Sequence, residues 1–301
     1  MQKNTISPQQ QRLRHAREIL ERVRIPSQPG IIMELGRLLQ EPQPDFKEIT
    51  TLISRDAAIT ARLFKLINSP LFGRGREIDS IPQALTLLGT ENFFKLILTC
   101  CLREAIATEP QLAERFWHHS LRVAVAADYL AGRLGSVATA DLNPGQCYLA
   151  GLFHDCAVPI LCANFTQYQQ LFETVTSYQR DILSLEDAAI GTDHCVVGHL
   201  MAKSWSLPDP VCKAVLYHHE EIILNDRLQM PTRLLAVVQT ADYLGHHYDY
   251  LAGDTPLVIE AEWDLDDWAL SHENVLAELG LEADDVRHLK NELFELYGDT
   301  L

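Results

Sequence analysis

No two cysteines in this chain stand in a CxxC spacing, and the seven present, at 100, 101, 147, 156, 162, 195 and 212, are odd in number with no repeated interval. That argues against a disulfide framework and for a reducing compartment, the cytoplasm by default. No apolar run approaches the roughly 18 to 20 residues that span a bilayer. The opening MQKNTISPQQQRLRHAREIL has no apolar core behind its basic residues, so neither a membrane span nor a secretory signal is expected. Basic residues are scarce beyond position 110: residues 111–301 carry 10 Lys+Arg against 29 Asp+Glu, whereas 1–110 carry 15 against 12. Nucleic-acid binders draw affinity from Lys and Arg clusters that release counterions, so so acidic a region is not expected to take nucleic acid as a partner.

Strand-like alternation is scarce as well; what is present is helical periodicity, and the expected fold is all-α. In residues 8–24, Leu13, Ala16, Leu20 and Val23 recur at spacings of three and four on one face. Pro26 and Pro29 break that helix. IIMELGRLLQ, DFKEITTLISRD and AAITARLFKLINS follow as further helices, SPLFGRGREIDSIP as a loop, then QALTLLG and NFFKLILTCCLREAI as two more. This first part holds one of the twelve histidines, His15, and no catalytic constellation. The length suits two modest domains, with boundaries expected at 1–108 and 109–301. Residues 254–301 hold 14 acids and two bases, yet NVLAELGL and VRHLKNELFELYG keep helical spacing, so a folded acidic tail is expected.

The other eleven histidines lie at 118 or later. In RFWHHSLRVAVAADYLAGRLG, steps of three and four from His119 meet Val123, Ala126, Leu130 and Leu134, an inward face; His118 steps to Arg122, Val125, Tyr129 and Arg133, a largely outward one. Alone, His119 reads first as a core histidine bonded to a carbonyl. His154 and Asp155 lie inside the apolar stretch FHDCAVPIL, where a lone carboxylate is costly, so a metal or a basic neighbour must stand near Asp155. His194 shares a face with Val197, Gly198, Met201 and Trp205, while His199 falls elsewhere. His218 and His219 extend the buried stripe of Val211, Ala214 and Val215, and Asp242 lies at the edge of the face holding Leu235 and Val238, where a solvated helix acid is the alternative. His246 and His247 follow no such pattern and are expected at the surface. Imidazole nitrogens with carboxylate oxygens suit Fe, Mn, Zn or Ni, and an aspartate has two oxygens with which to bridge two ions.

The run IPSQPGIIMELGRLLQ, ISRDAAITARLFKLINSPLFG, IDSIPQALTLLG, then WHHSLRVA, LAGLFHDCAVPIL, GTDHCVVGHLMAKSWSLP and LYHHEE resembles the HDOD domain, the HD-related output domain of bacterial signalling proteins, over roughly residues 25 to 250. The resemblance implies a helical domain packed on an HD-like helical domain, and a regulatory role with a signalling-protein partner and, as an option, a small-molecule or nucleotide ligand. It also implies a ligand order matched here by His119, His154, Asp155 and Asp242, and, as in the HD-GYP branch, by His194, His218 and His219, for one or two divalent transition-metal ions. Two departures stand against turnover. HD-type enzymes commonly follow the pair with a glycine and a phosphate-holding lysine, where this chain has Ala157 and Val158. The Gly-x-x-Tyr-Pro loop of HD-GYP proteins is replaced by EIILNDRLQMP. No phosphate-binding residue is therefore assigned. The sequence suggests two functions: a noncatalytic signalling module, and a metal-dependent phosphohydrolase acting on a nucleotide or other phosphoester. Metal ligands are expected and turnover is not, with Arg122, Arg133 and Lys203 left as candidate compensating bases.

Overall fold

The computed structural model describes residues 23, 25–69, 72, 77–106, 110–135, 142–174, 182–223, 231–251 and 264–298. The helix expected over 8–24 lies, apart from Val23, outside the described residues, as do the tip of the expected 69–82 loop and residues 252–263 of the tail. Among the described residues there are helices and no strand. The chain divides into two compact units, one containing Ser27–Ala107 with Asn291–Leu301, the other containing Thr108–Lys290.

The first unit is built on α1 (Gly30–Leu39), α2 (Phe46–Ser54), α3 (Ala57–Ile67) and α4 (Ile81–Ala105). Helix α2 starts where the Asp45 carboxylate accepts the Lys47 N–H at 2.8 Å. Helix α3 starts where Asp56 accepts from the N–H groups of Ala58 and Ile59, each at 3.0 Å. Each such cap stabilises by about 1 kcal/mol. Buried Ile49, Leu52 and Ile53 on α2, and Ile59, Leu63 and Ile67 on α3, recur at helical spacing and form the core stripes. Past α3, the Asn68 side chain bonds both backbone groups of Ile78 at 2.8 Å. Arg-Asp and Asn-Ser in the motif run therefore supply a cap and a loop staple rather than chemistry. Helix α4 breaks at Gly89, whose φ of 77° favours glycine; the two expected segments meet there.

The second unit holds α5 (Pro110–Gly135), α6 (Pro144–Phe153), α7 (Val158–Asn164), α8 (Thr166–Thr174), α9 (Ile182–Ile190), α10 (His194–Ser204), α11 (Asp209–Tyr217), α12 (Thr232–Leu251), α13 (Leu265–Ser271) and α14 (Glu273–Leu279), and α15 (Ala283–Gly298) closes the chain. The described part of the acidic tail is thus helical. One expectation needs correction: α4 and the stretch Pro144–Asn164 are long and apolar enough to cross a membrane, with mean hydropathies of 1.4 and 1.2. Charged and polar residues scattered among the apolar ones hide this from an eye looking for an unbroken run. Both stretches have the character of core helices, 56% and 83% buried in the fold, and each is interrupted, at Gly89 and at the His154 turn.

Glycines set how closely the site-bearing helices approach. A Cβ on Gly151 of α6 would stand 2.8 Å from the Val123 carbonyl oxygen and 2.9 Å from Ala124 Cα on α5. One on Gly245 of α12 would stand 2.9 Å from Val123 Cγ2 and 3.5 Å from His119 Cε1. Gly151→Ala is expected to force α5 and α6 apart at a cost of about 1–3 kcal/mol, read as a shift in denaturant midpoint. A change below about 0.5 kcal/mol, the ordinary range of a surface substitution, would show that the two helices are not held in this contact.

Candidate metal centre

His154 and Asp155 sit in the turn that joins α6 to α7. Helix α6 ends at Phe153, the Cys156 N–H returns to the Phe153 carbonyl at 3.1 Å, and the Val158 N–H returns to the Asp155 carbonyl at 2.9 Å. Apolar residues on both sides bury the pair to 1% and 5% exposure, and the turn aims both side chains toward α5, α10 and α12.

Asp155 stands between two groups of ligand-type atoms. On one side, His154 Nε2 lies 3.4 Å from Asp155 Oδ2 and 3.5 Å from Asp242 Oδ1, and His119 Nε2 lies 3.1 Å from the same Asp242 oxygen. On the other, Asp155 Oδ1 lies 3.3 Å from His194 Nε2 and 3.4 Å from His218 Nε2. His194 Nε2 is also 3.3 Å from His218 Nε2 and 3.2 Å from His219 Nε2. All seven residues assigned by sequence are brought together, six of them buried and His219 half-buried.

The far nitrogens of the rings are held by acceptors. His154 Nδ1 donates to the Gly151 carbonyl at 2.7 Å and His218 Nδ1 to the Val215 carbonyl at 2.9 Å. His194 Nδ1 meets the Glu186 carboxylate at 2.7 Å, and that carboxylate also accepts from the His194 N–H and the Tyr168 hydroxyl. His119 Nδ1 meets Asp249 at 2.7 Å, and Asp249 in turn accepts from Arg122, whose guanidinium lies 4.7 Å over the Tyr248 ring. A carbonyl only accepts, so Nδ1 carries the proton in His154 and His218 and the inward Nε2 presents a lone pair in the neutral ring. The Nε2 atoms of His194 and His218 then face each other across 3.3 Å, and a carboxylate oxygen across 3.3 and 3.4 Å.

Such a convergence needs positive charge at its centre. His154 Nε2 and Asp155 Oδ1 are buried without a hydrogen-bond partner, and ligand-type atoms gather within 4.8 Å of one another in the sets His119–His154–Asp155 and His194–Cys195–His218–His219. These residues fit divalent transition-metal ions in donor type and spacing. Protons alone meet the demand only in part. Burial pulls His119 down, but Asp242 and Asp249 outweigh it and hold the ring at about 9; His218 is likewise held at about 9 against burial by Cys195 and Asp155. Burial opposes ionisation of Asp155 and Asp242, but the surrounding imidazoles hold both well below the usual carboxylate range. His219 is pushed well below its ordinary value by burial and by His218 and His194, so its lone pair stays available.

Three expectations about side-chain placement change. His246 is buried and stacks on His119 with ring centroids 4.0 Å apart, its Nε2 3.4 Å from Asp242 Oδ1, and His247 is half-buried. The reason is that the inward face of α12 runs past Asp242 to His246 and Asp249, at i+4 and i+7. Arg122, assigned outward with His118, is buried because Asp249 receives it. His218 and His219 do not extend the α11 stripe but sit in the turn after Tyr217, and Gln239 of α12 holds that turn through the carbonyls of His218 and Glu220 at 2.9 and 2.8 Å. Of the other candidate bases, Lys203 is exposed and paired with Asp209, and Arg133 is exposed. Glu186 and Asp249, which orient two of the rings, were not assigned from the sequence.

The HDOD domain family matches this chain over residues 25–221. The chain belongs to the HDOD family. Among solved structures it is similar to an HDOD domain protein of unknown function from Geobacter sulfurreducens, at 27% identity and a TM-score of 0.65, covering 95% of this chain and 98% of that one. A protein of Shewanella amazonensis SB2B, provisionally named a phosphohydrolase, shares the fold at 18% identity and a TM-score of 0.67, covering 98% and 96%. An uncharacterized protein of Treponema pallidum (strain Nichols) is 24% identical over 258 residues, which are 83% of this chain and 47% of that protein. The chain thus spans about half the length of that relative. HDOD residues outside the ligand set, Asp56 and Asn68 among them, serve the helix starts and loops already described.

Proposed function

We propose that this HDOD protein is a noncatalytic signalling module whose second unit keeps a buried HD-type site for two divalent transition-metal ions. His119, His154, Asp155 and Asp242 would hold one ion and His194, His218 and His219 the other, with Asp155 between them. The observation that carries the reading is the pairing of a full ligand set with an apolar wall: Ala157 and Val158, directly after the His-Asp pair, are 0% and 2% exposed. Bound ions would supply charge neutralisation for the carboxylates and imidazoles. A phosphoester reaction further needs positive groups that grip the phosphate oxygens, and losing one such donor commonly costs a factor of about 100 to 1000. Among the described residues the cation bonded into the cluster, Arg122, is taken up by Asp249.

In this reading the module acts through a protein partner, optionally with a small-molecule or nucleotide ligand, and its seven buried cysteines, none in a disulfide, suit a reducing, cytoplasmic setting. The second reading, a metal-dependent phosphohydrolase acting on a nucleotide or other phosphoester, is favoured by the completeness of the ligand set. An anaerobic assay with Mn and Fe(II) against linear and cyclic nucleotides separates the two. The parent protein is expected to stay below about 0.1 turnovers per second, a tenth of the low end of ordinary enzyme rates. Faster turnover would establish the enzyme reading, and activity that appears only in Val158→Lys would support the missing grip as the cause.

A further inference from the structure

Cys195 opens α10 beside His194, and nothing in the HD-type ligand order assigns it a part. Its Sγ lies 3.5 Å from His194 Nε2 and 3.7 Å from His218 Nδ1, and it belongs with His194, His218 and His219 to one set of ligand-type atoms within 4.8 Å. The side chain is 1% exposed. Asp155 Oδ1, itself buried without a hydrogen-bond partner, stands 3.3 Å from His194 Nε2 at the same place.

We infer that Cys195 is a thiolate ligand of the second ion, and that with His194, His218 and His219 it makes a closed, zinc-selective position unlike the nitrogen-and-oxygen position on the other side of Asp155. The inference rests on the two-ion reading above and adds the identity of one ligand and one metal. Tetrahedral zinc has metal–nitrogen bonds of about 2.05 Å and a metal–sulfur bond of about 2.3 Å. Ligand atoms around such an ion stand about 3.3 Å apart for two nitrogens and about 3.5 Å apart for nitrogen and sulfur, by the tetrahedral angle alone. The separations here are 3.3 and 3.2 Å between ring nitrogens and 3.5 Å between His194 Nε2 and Cys195 Sγ. On binding, the thiol proton leaves to solvent as the metal–sulfur bond forms, so no oxidant or reductant is required. A thiolate favours zinc over manganese or magnesium. With Asp155 Oδ1 beside these four ligands, the position would leave no open coordination place, in accord with a site that is not built for turnover.

The test is a Co(II) titration of the full-length, chelator-stripped protein under reductant, followed by X-ray absorption at the zinc edge of the zinc-loaded protein. Expected are visible ligand-field bands together with a near-ultraviolet thiolate-to-cobalt band. The latter should persist in Cys156→Ser and vanish in Cys195→Ser, which should bind zinc more than about tenfold more weakly at this position, at least the loss seen when a mere supporting partner is removed. The zinc edge should show one sulfur at about 2.3 Å, a result that needs no variant and so stands if Cys195→Ser fails to fold. Ligand-field bands without a thiolate band, or a zinc shell without sulfur, would overturn the assignment of Cys195 and leave the two-ion reading intact. Absence of any cobalt or zinc binding would overturn both.

Discussion

Asp155→Ala is expected to remove both ions at once, lowering total bound transition metal at least tenfold, where loss of an outlying ligand empties one position only. Its two oxygens face opposite groups, Oδ2 toward His154 and Oδ1 toward His194 and His218, so this one side chain touches both. Stability should fall in two parts. At free metal near 100 times Kd, the lost linkage is worth about 2.7 kcal/mol. A further cost of about 1–3 kcal/mol should remain in metal-free protein, because the imidazoles that Asp155 meets lose their buried acceptor. Asp155→Asn separates charge from shape: it keeps the volume and one oxygen, and should still lose the metal. Differential scanning of parent and variants with and without chelator reads both parts. Unchanged melting and full metal content in Asp155→Ala would contradict the bridging role.

Asp249→Ala should be the most destabilising single change outside the proposed ligand set, at about 3–5 kcal/mol. Arg122 and Asp249 are 7% and 4% exposed, and removal of the carboxylate takes from a buried guanidinium the counter-charge it is bonded to. His119 loses at the same time the acceptor at its Nδ1. The double variant Arg122→Met/Asp249→Leu should recover most of the loss, since replacing both members of a buried pair by apolar side chains is often neutral. Denaturant midpoints read the comparison. A loss below about 1 kcal/mol in Asp249→Ala, the scale of an exposed ion pair, would mean that water screens the pair.

How much of this was legible in the sequence differs from element to element. The inward phase of His119 follows from period-3.6 counting because α5 is long and its apolar residues are dense. The break at Gly89 is legible for a similar reason, a glycine between two helical patterns. Asp249 was not legible, although the same counting reaches it. From Asp242, His246 lies one turn on and Asp249 two, but both are polar, and a polar residue on a helix end reads as solvated unless its partner is known. That partner is Arg122, on a helix more than a hundred positions earlier. Glu186 lies one turn after buried Ile182 on α9, a nine-residue helix too short for its face to be fixed by period alone. The His218–His219 turn was misplaced because helix ends depend on which carbonyls find partners, here through Gln239 of α12. That the seven assigned residues would come together was legible through the ligand order that the family resemblance implies, whereas the residues that orient the rings are constrained only by tertiary contact.

The central claim is that the buried histidines and aspartates hold metal. Protein purified without chelator and without a nickel-affinity step should contain, by elemental analysis of Fe, Mn, Zn and Ni, close to two equivalents per chain in total, as the proposed two-ion site requires. Less than about a tenth of an equivalent of every metal, with none regained on anaerobic incubation with Fe(II), Mn or Zn, would contradict it and leave the cluster as a hydrogen-bonded network of protonated imidazoles and carboxylates.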